Sequence, residues 1–212
     1  NLLPAGVIPF LGDLGDFEVL EEASKGASFV FHTAGIVGES GKKITELNNV
    51  NVQGTKNVVD ACEEAHCTRL IFTSSIDVYG RSRKEVITEE TPPKPSDKYG
   101  YSKLLAEKAI IGSDLDYTIF RIATVYGPGF EQSFFKVFEA IIEGKIMIIG
   151  SGENHLSLIH IYDVLNAFLL TIRNHKSTKQ IYNLSDGVAY TQKGLIDMAA
   201  DPLNAKRPQK HI

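Results

Sequence analysis

The sequence predicts an α/β fold: a doubly wound, mainly parallel β-sheet with helices on both faces and a small C-terminal lobe. Three observations lead there. Short apolar runs alternate with longer runs whose apolar residues recur at helical spacing. Several of the short runs are continuously apolar, as strands buried on both faces are. Polar and glycine-containing segments collect at the carboxyl ends of those runs, where such sheets bind ligands.

Taken in order, Val7–Phe10 reads as a strand, followed by the turn Gly12-Asp13-Leu14-Gly15. Phe17–Ser24 is a short helix with Phe17, Leu20 and Ala23 on one side. Ser28–His32 is a strand rich in β-formers. Val50–Glu64 carries Val52, Val58, Val59 and Cys62 at helical spacing. Arg69–Ser74 is a strand ending in hydroxyls. The loop TPPKPSD breaks the chain before a helix over Lys98–Ile111. Tyr117–Ile122 is a strand, and Gln132–Glu143 a helix stopped by Gly144. Met147–Ile149 is a short strand, Asp163–Ile172 a helix, Ile181–Leu184 a strand and Thr191–Ala199 a helix.

Bulk properties narrow the class. The chain has 212 residues, 43% hydrophobic and 23% charged, ordinary values for a soluble globular enzyme. A net charge of -4 without a basic run argues against nucleic acid as a partner. No stretch is apolar for long enough to span a membrane. The two cysteines, Cys62 and Cys67, lie in or beside one helix and suggest a reducing cytoplasm rather than a disulfide framework. With His66 they lack the further ligands that a metal site requires, so no metal is expected.

Two segments carry chemistry. Tyr99 and Lys103, in Tyr99-Gly-Tyr-Ser-Lys103, stand one helical turn apart on one face. A neighbouring ammonium favours the phenolate, and the spacing therefore predicts a Tyr99 acidified toward neutral pH and usable as a general acid/base. Tyr101 has Leu105 in the matching place. The second segment is the strand end Thr73-Ser74-Ser75, where a serine hydroxyl can bond a substrate oxygen as charge develops on it.

These segments stand in a longer series: Gly12-Asp13-Leu14, His32-x-Ala34, Asn51-Val-x-Gly54-Thr55, Ser74-Ser75-x-x-Val78-Tyr79-Gly80, Tyr99-x-x-x-Lys103 and Arg121-x-x-x-Val125-Tyr126-Gly127-Pro128. In this order they resemble the extended short-chain dehydrogenase/reductases, a group that includes sugar-nucleotide epimerases and dehydratases, dihydroflavonol reductases and 3β-hydroxysteroid dehydrogenases. The likeness runs from about Gly12 to Leu184. It implies a Rossmann-like dinucleotide-binding domain over residues 1–128 with 157–184, and a substrate-binding lobe over 129–156 with 185–212. It implies Ser75, Tyr99 and Lys103 as the catalytic set, with Lys103 also holding the nicotinamide ribose. Asp13 and Leu14 would meet adenine. Thr33, Ala34 and Gly35 would line the cofactor, with Asn51 and Thr73 behind it and Val125 at the carboxamide. The cofactor would be NAD or NADP, the partner a small-molecule substrate, and the assembly a homodimer through helices near 50–64 and 98–111.

A dinucleotide-binding sheet usually opens with strand, glycine-rich turn and helix, and no such turn stands near residue 1. About fifty residues, one βαβ unit with its connection, are therefore expected upstream. The resemblance also tilts the substrate class. Ile76 stands where dehydratases resemble one another in carrying an acid. Thr124 and Leu156 replace the asparagine and arginine usual in sugar-nucleotide enzymes, and the run Ser157-Leu-Ile-His160-Ile-Tyr-Asp163-Val is closer to the reductase and steroid-dehydrogenase side. The expectation is hydride transfer between nicotinamide and a secondary alcohol or ketone. A nucleotide-sugar 4-epimerase is the alternative, and a non-catalytic dinucleotide-binding protein the next.

Overall fold

The structure is a computed structural model, and it describes residues 3–37, 43–80, 86–205 and 207. The chain divides into two compact units, residues 1–121 with 170–183 and residues 122–169 with 184–212.

The first unit opens without the strand expected at Val7–Phe10. Residues 7–13 form no regular structure. A strand exists only where its backbone groups find a neighbour, and the Val7 amide instead bonds locally to the Pro4 carbonyl at 3.3 Å. Helix α1 (Phe17–Ser24) and strand β1 (Phe29–His32) follow where the periodicity places them. The next helix begins earlier than Val50. Helix α2 (Ile44–Leu47) passes through a π-helical turn, Asn48–Gln53, into α3 (Gly54–Glu64). Helix α3 ends on His66 at φ 53°, and the Cys67 amide closes back on the Cys62 carbonyl at 2.9 Å.

Strand β2 (Arg69–Ser75) runs parallel to β1 and pairs Phe29 with Arg69 and His32 with Phe72. A 3₁₀ turn, Ile76–Tyr79, leads off it. Helix α4 (Lys98–Ile111) starts at Asp97, whose side chain accepts a bond from the Gly100 amide at 2.8 Å. Strand β3 (Tyr117–Ile122) follows. Later in the chain come β4 (Thr124–Tyr126), α5 (Glu131–Ile142), β5 (His155–Leu156), β6 (Leu158–His160), α6 (Ile161–Arg173), β7 (Gln180–Leu184), β8 (Tyr190–Thr191) and α7 (Gln192–Ala200). The central sheet has the order β1-β2-β3-β7 and is parallel with flanking helices. Its core joins Val58, Cys62, Leu70, Phe72, Ala106 and Ile119, from α3, β2, α4 and β3.

The second unit has a parallel pair, β4 with β6, and an antiparallel pair, β5 with β8. Its own core gathers Ile141, Ile148, Ile196 and Ala200. The short strand expected at Met147–Ile149 is reduced to a single bridging residue, Ile148. Ile148 is buried while Met147 and Ile149 are exposed, so the run packs one side chain and pairs no length of backbone.

One charged network crosses the interior of the first unit. Arg121 on β3 grips Glu107 on α4 with two bonds, Nε to Oε1 at 3.0 Å and Nη2 to Oε2 at 2.7 Å. Ser74 on β2 donates to the same carboxylate, and Arg121 Nη1 donates to the Tyr79 hydroxyl at 2.8 Å. Tyr79 in turn meets the Asn183 side chain on β7. Burial works against the charge on Arg121, and Glu107 and Tyr79 more than offset it, so its pKa is raised. Glu107→Ala would leave a buried guanidinium without its carboxylate, and is expected to cost about 3–5 kcal/mol in urea unfolding. A loss below about 1 kcal/mol, the range of exposed pairs, would contradict this account of the core.

Candidate active site

The site grows from the carboxyl end of β2. Ser75, its last residue, is extended at φ -140°, ψ 150° and caps the 3₁₀ turn that follows. The Asp77 amide donates to Ser75 Oγ at 3.2 Å, and Ser75 Oγ donates to Asp77 Oδ2 at 3.1 Å. That turn lies against the first turn of α4. A Cβ on Gly100 would stand 2.4 Å from the Asp77 carbonyl oxygen, and one on Gly80, at φ +78°, would stand 2.2 Å from the Lys94 carbonyl oxygen. Glycine is therefore required at both contacts, and the close approach brings Tyr99 beside Ser75, which hydrogen-bonds its phenol.

Tyr99 is half-buried, and its pKa is pushed up to about 12. Burial is the main cause and the charge of Asp77 the next. The bond from Ser75 works the other way, and Asp97 adds a smaller rise. This reverses the expectation that Lys103 acidifies the phenol. Lys103 is not among the groups acting on Tyr99. It is only 6% exposed, its Nζ lies 4.2 Å from the centroid of the Phe72 ring, and burial lowers its pKa to about 8 against an opposing pull from Glu107. Helical spacing placed the two side chains on one face. It did not show that burial of the phenol, with the charge of Asp77 next, raises its pKa.

A second group of contacts ties the loop after β1 to α4. Asn51, 2% exposed within the π-helical turn, accepts from the Ile36 amide at 2.8 Å and donates to the Ile36 carbonyl at 3.0 Å. Its amide also donates to Ser102 Oγ at 3.0 Å, and Ser102 donates to the Tyr99 carbonyl at 2.8 Å. A Cβ on Gly35 would come within 3.1 Å of Asn51 Oδ1. His32 sits below, buried, with Nε2 2.9 Å from Thr55 Oγ and its ring against Phe72. Burial, and then the charge of Lys103, lowers its pKa to about 3, so it is neutral near pH 7.

Beside this lies an open cavity of about 560 Å³, lined by Phe10, Gly12, Asp13, Leu14, Ala34 and Gly35 among others. Asp13 Oδ1 accepts from the Gly15 amide at 2.6 Å, and Gly12 has no room for a side chain against Val19. Thr33 is exposed on the neighbouring loop, and Thr73 donates to the His32 carbonyl at 3.2 Å. Val125 belongs to the second unit, on β4 opposite Ile159. The first unit thus gathers Asp13, Leu14, Ala34 and Gly35 at one cavity, and Ser75, Tyr99 and Lys103 around the junction of β2 and α4. Among the described residues, no group of three or more His, Cys, Asp or Glu side chains could hold a metal ion, and no helix is long and apolar enough to cross a membrane.

Residues 4–185 match the model of the NAD-dependent epimerase/dehydratase family. The chain belongs to that family. Among its relatives in the family, a human sterol-4-alpha-carboxylate 3-dehydrogenase (decarboxylating) is 36% identical over 172 residues, 76% of this chain and 45% of that protein. An N-acetyl-alpha-D-glucosaminyl-diphospho-ditrans,octacis-undecaprenol 4-epimerase of Escherichia coli O157:H7 is 27% identical over 208 residues, 95% of this chain and 62% of that one. The solved structure of MoeE5 in complex with UDP-glucose and NAD is 28% identical, with a TM-score of 0.84 over 95% of this chain and 70% of its own. This family member thus spans 45–62% of the length of those two curated relatives.

Three residues of the site carried no weight in the sequence: Asp77, Ser102 and Glu107. Glu107 was the most accessible to reasoning, since Tyr99, Lys103 and Glu107 follow one another at i, i+4, i+8 on α4. The low pKa of His32 has a consequence for folding. Below pH 6.5 the unfolded chain takes up a proton at this imidazole that the folded chain refuses until about pH 3. Stability at His32 is complete above pH 6.5 and falls as the pH drops toward 3, by something of the order of 4 kcal/mol in full. Urea unfolding of the wild type should weaken through that window, and His32→Gln should show a shallower fall. An equal slope in both proteins would refute the assignment.

Proposed function

We propose that this chain forms the cofactor-binding and catalytic part of an NAD(P)-dependent oxidoreductase acting on a secondary alcohol or ketone of a small molecule. The observation that carries the reading is the meeting of Ser75 and Tyr99 where β2 ends and α4 begins, within the same unit as the cavity at Asp13 and Gly35.

The cofactor fit rests on that cavity. Gly12 and Gly35 line it, and a Cβ there would stand 2.9 Å from Val19 Cγ1 and 3.1 Å from Asn51 Oδ1, so the bare backbone of both is part of its wall. Asp13 and Leu14 would hold the adenosine end. Ala34 and Gly35 would line the phosphates and ribose together with Thr33, Asn51 would fix that loop from behind with Thr73 at the adjoining strand end, and Val125 would meet the carboxamide. NAD is favoured by the family and by the NAD named in the MoeE5 complex. When bound, it supplies the nicotinamide that gives or takes a hydride.

The side chains then divide the remaining work. Tyr99 moves the proton to or from the substrate oxygen. Ser75 orients that oxygen by hydrogen bonding. Lys103, buried beneath, holds the ribose hydroxyls. The reading assigns residues 1–128 with 157–184 to dinucleotide binding and 129–156 with 185–212 to the substrate. It includes a homodimer through α3 and α4 and a cytoplasmic setting, the latter supported by Cys62 and Cys67 being buried free thiols.

The relatives support two substrate classes. The 36% identity to the sterol dehydrogenase, with Leu156 standing exposed on β5, favours a less charged alcohol or ketone. The 27% match to a 4-epimerase over 95% of the chain supports the second reading, a nucleotide-sugar 4-epimerase. A panel of steroid and small carbonyl substrates with NADH and NADPH, run beside UDP-sugars with NAD, separates them by the absorbance of the nicotinamide. Net oxidation of the reduced cofactor is expected. Sugar interconversion without absorbance change would favour the epimerase. Tyr99→Phe should lower turnover at least about 100-fold while cofactor affinity stays within about threefold, and unchanged turnover would remove Tyr99 from the mechanism.

A further inference from the structure

The turn at residues 12–15 forms one wall of the cavity, and the loop at Ala34 and Gly35 forms another. The turn's own bonds are local: the Gly15 amide donates to Asp13 Oδ1 at 2.6 Å, and the Asp16 amide to the Asp13 carbonyl at 3.1 Å. Bonds of this kind close a turn without fixing where it stands in the unit. Helix α3 supplies the fixing. Asn57, half-buried on that helix, donates through Nδ2 to the Leu14 carbonyl at 2.7 Å. At the start of α3, a Cβ on Gly54 would stand 2.6 Å from Leu14 Cβ and 2.9 Å from Leu14 Cδ1, so helix and turn approach closely. Leu14 also packs against the core of the unit. The Asn57 amide is itself oriented: its Oδ1 accepts from Gln53 Nε2 at 3.0 Å, which leaves Nδ2 for Leu14. A carbonyl oxygen can only accept, so the opposite orientation would make neither bond.

We propose that Asn57 is a positioning residue for the adenosine end of the cofactor: its side-chain amide holds the Leu14 carbonyl, and with it the wall of the cavity at residues 12–15. The proposal rests on the NAD(P) reading and deepens it with a residue that acts through another. Asn57 does not line the cavity, whereas Leu14 does. One continuous helical segment then serves both walls. Asn51, in the π-helical turn, ties the loop at Ile36 next to Gly35, and Asn57, on the helix that follows, ties the turn at Leu14. The spacing between the walls is carried by that segment rather than by the loops themselves. A ligand that enters between walls already in place binds without first having to order them, and freeing one wall adds that ordering to the cost of binding.

Two readouts on the whole chain test this: amide hydrogen exchange at Gly15 and Asp16, and calorimetric titration with ADP, which carries the adenosine and diphosphate of NAD without the nicotinamide. Alanine is the better helix former, so Asn57→Ala should unfold at a temperature close to that of the wild type. Its exchange at Gly15 and Asp16 should quicken about tenfold, while exchange at Leu70 and Ile71 in β2 stays as in the wild type. Its affinity for ADP should fall about 5–20-fold, and its affinity for NAD by the same factor. Asn57→Gln keeps a donor and should lose less than Asn57→Ala in both readouts. Gln53→Ala removes only the support of the amide, and should cost about two- to threefold in ADP affinity. A merely structural role would instead lower the unfolding temperature and spread faster exchange over the unit. Equal exchange at the turn and equal ADP affinity in wild type and Asn57→Ala would overturn the proposal alone. Wild-type protein that binds neither ADP nor NAD, although Asn57→Ala loosens the turn, would reject the cofactor reading itself and the adenosine role with it.

Discussion

The bidentate pair of Arg121 and Glu107 stands beneath everything else in the first unit. Each side chain is at most 4% exposed. Through Ser74, Tyr79 and Asn183 the pair joins β2, the 3₁₀ turn, α4, β3 and β7. Two charges so far from water are tolerated only if every remaining donor and acceptor is met, and this demand restricts how the elements can shift. Ser75 adjoins Ser74 on β2, and Tyr99 lies two turns before Glu107 on α4. The network under the site therefore sets the distance between the residues above it.

Above the network, the balance of charge differs from the one that helical spacing suggests. A lysine one turn from a tyrosine reads as an acidifying neighbour. Lys103 instead lies over Phe72, deep enough that burial weakens its own charge, and its influence on the buried side falls on His32, which it helps to keep neutral. Burial of the phenol, and then the charges of Asp77 and Asp97, raise its pKa instead. Residues 75, 77 and 99 lie close together, and the Ser75 hydroxyl works on the phenol in the opposite sense to burial and the two carboxylates. Asn51 ties the other side of the site together: one amide side chain joins the loop at Ile36 to Ser102 and so to the Tyr99 backbone. A π-helical turn at Asn51 departs from the regular helix where a contact of this kind is made, a frequent association.

Much of this was legible in the amino-acid order. Helix α1, α4 and strand β3 fall on their expected residues because their apolar spacing, the loop TPPKPSD and the cap at Asp97 are local signals. The strand at Val7–Phe10 was not obtained, since a strand depends on a partner that a local run of apolar residues does not reveal. The π-helical turn was missed for a related reason: its bonds go from Asn51 to Ile36 and Ser102, far apart in sequence. Ser75 and Tyr99 were visible as motif residues and Gly12-Asp13-Leu14 as a turn. Asp77 was hidden, because its weight comes from the closeness of two glycines, Gly80 and Gly100, to backbone carbonyls of other segments.

The central proposal is that Ser75 and Tyr99 meet in the same unit as a cavity that takes the adenosine end of NAD. A crystal structure of the protein with NAD bound tests it most directly. The account predicts a Tyr99 hydroxyl within about 2.6–3.2 Å of Ser75 Oγ, with adenine against Asp13 and Leu14. Side chains of residues 75 and 99 turned into separate regions, or adenine seated away from the Gly12–Gly15 turn, would contradict it.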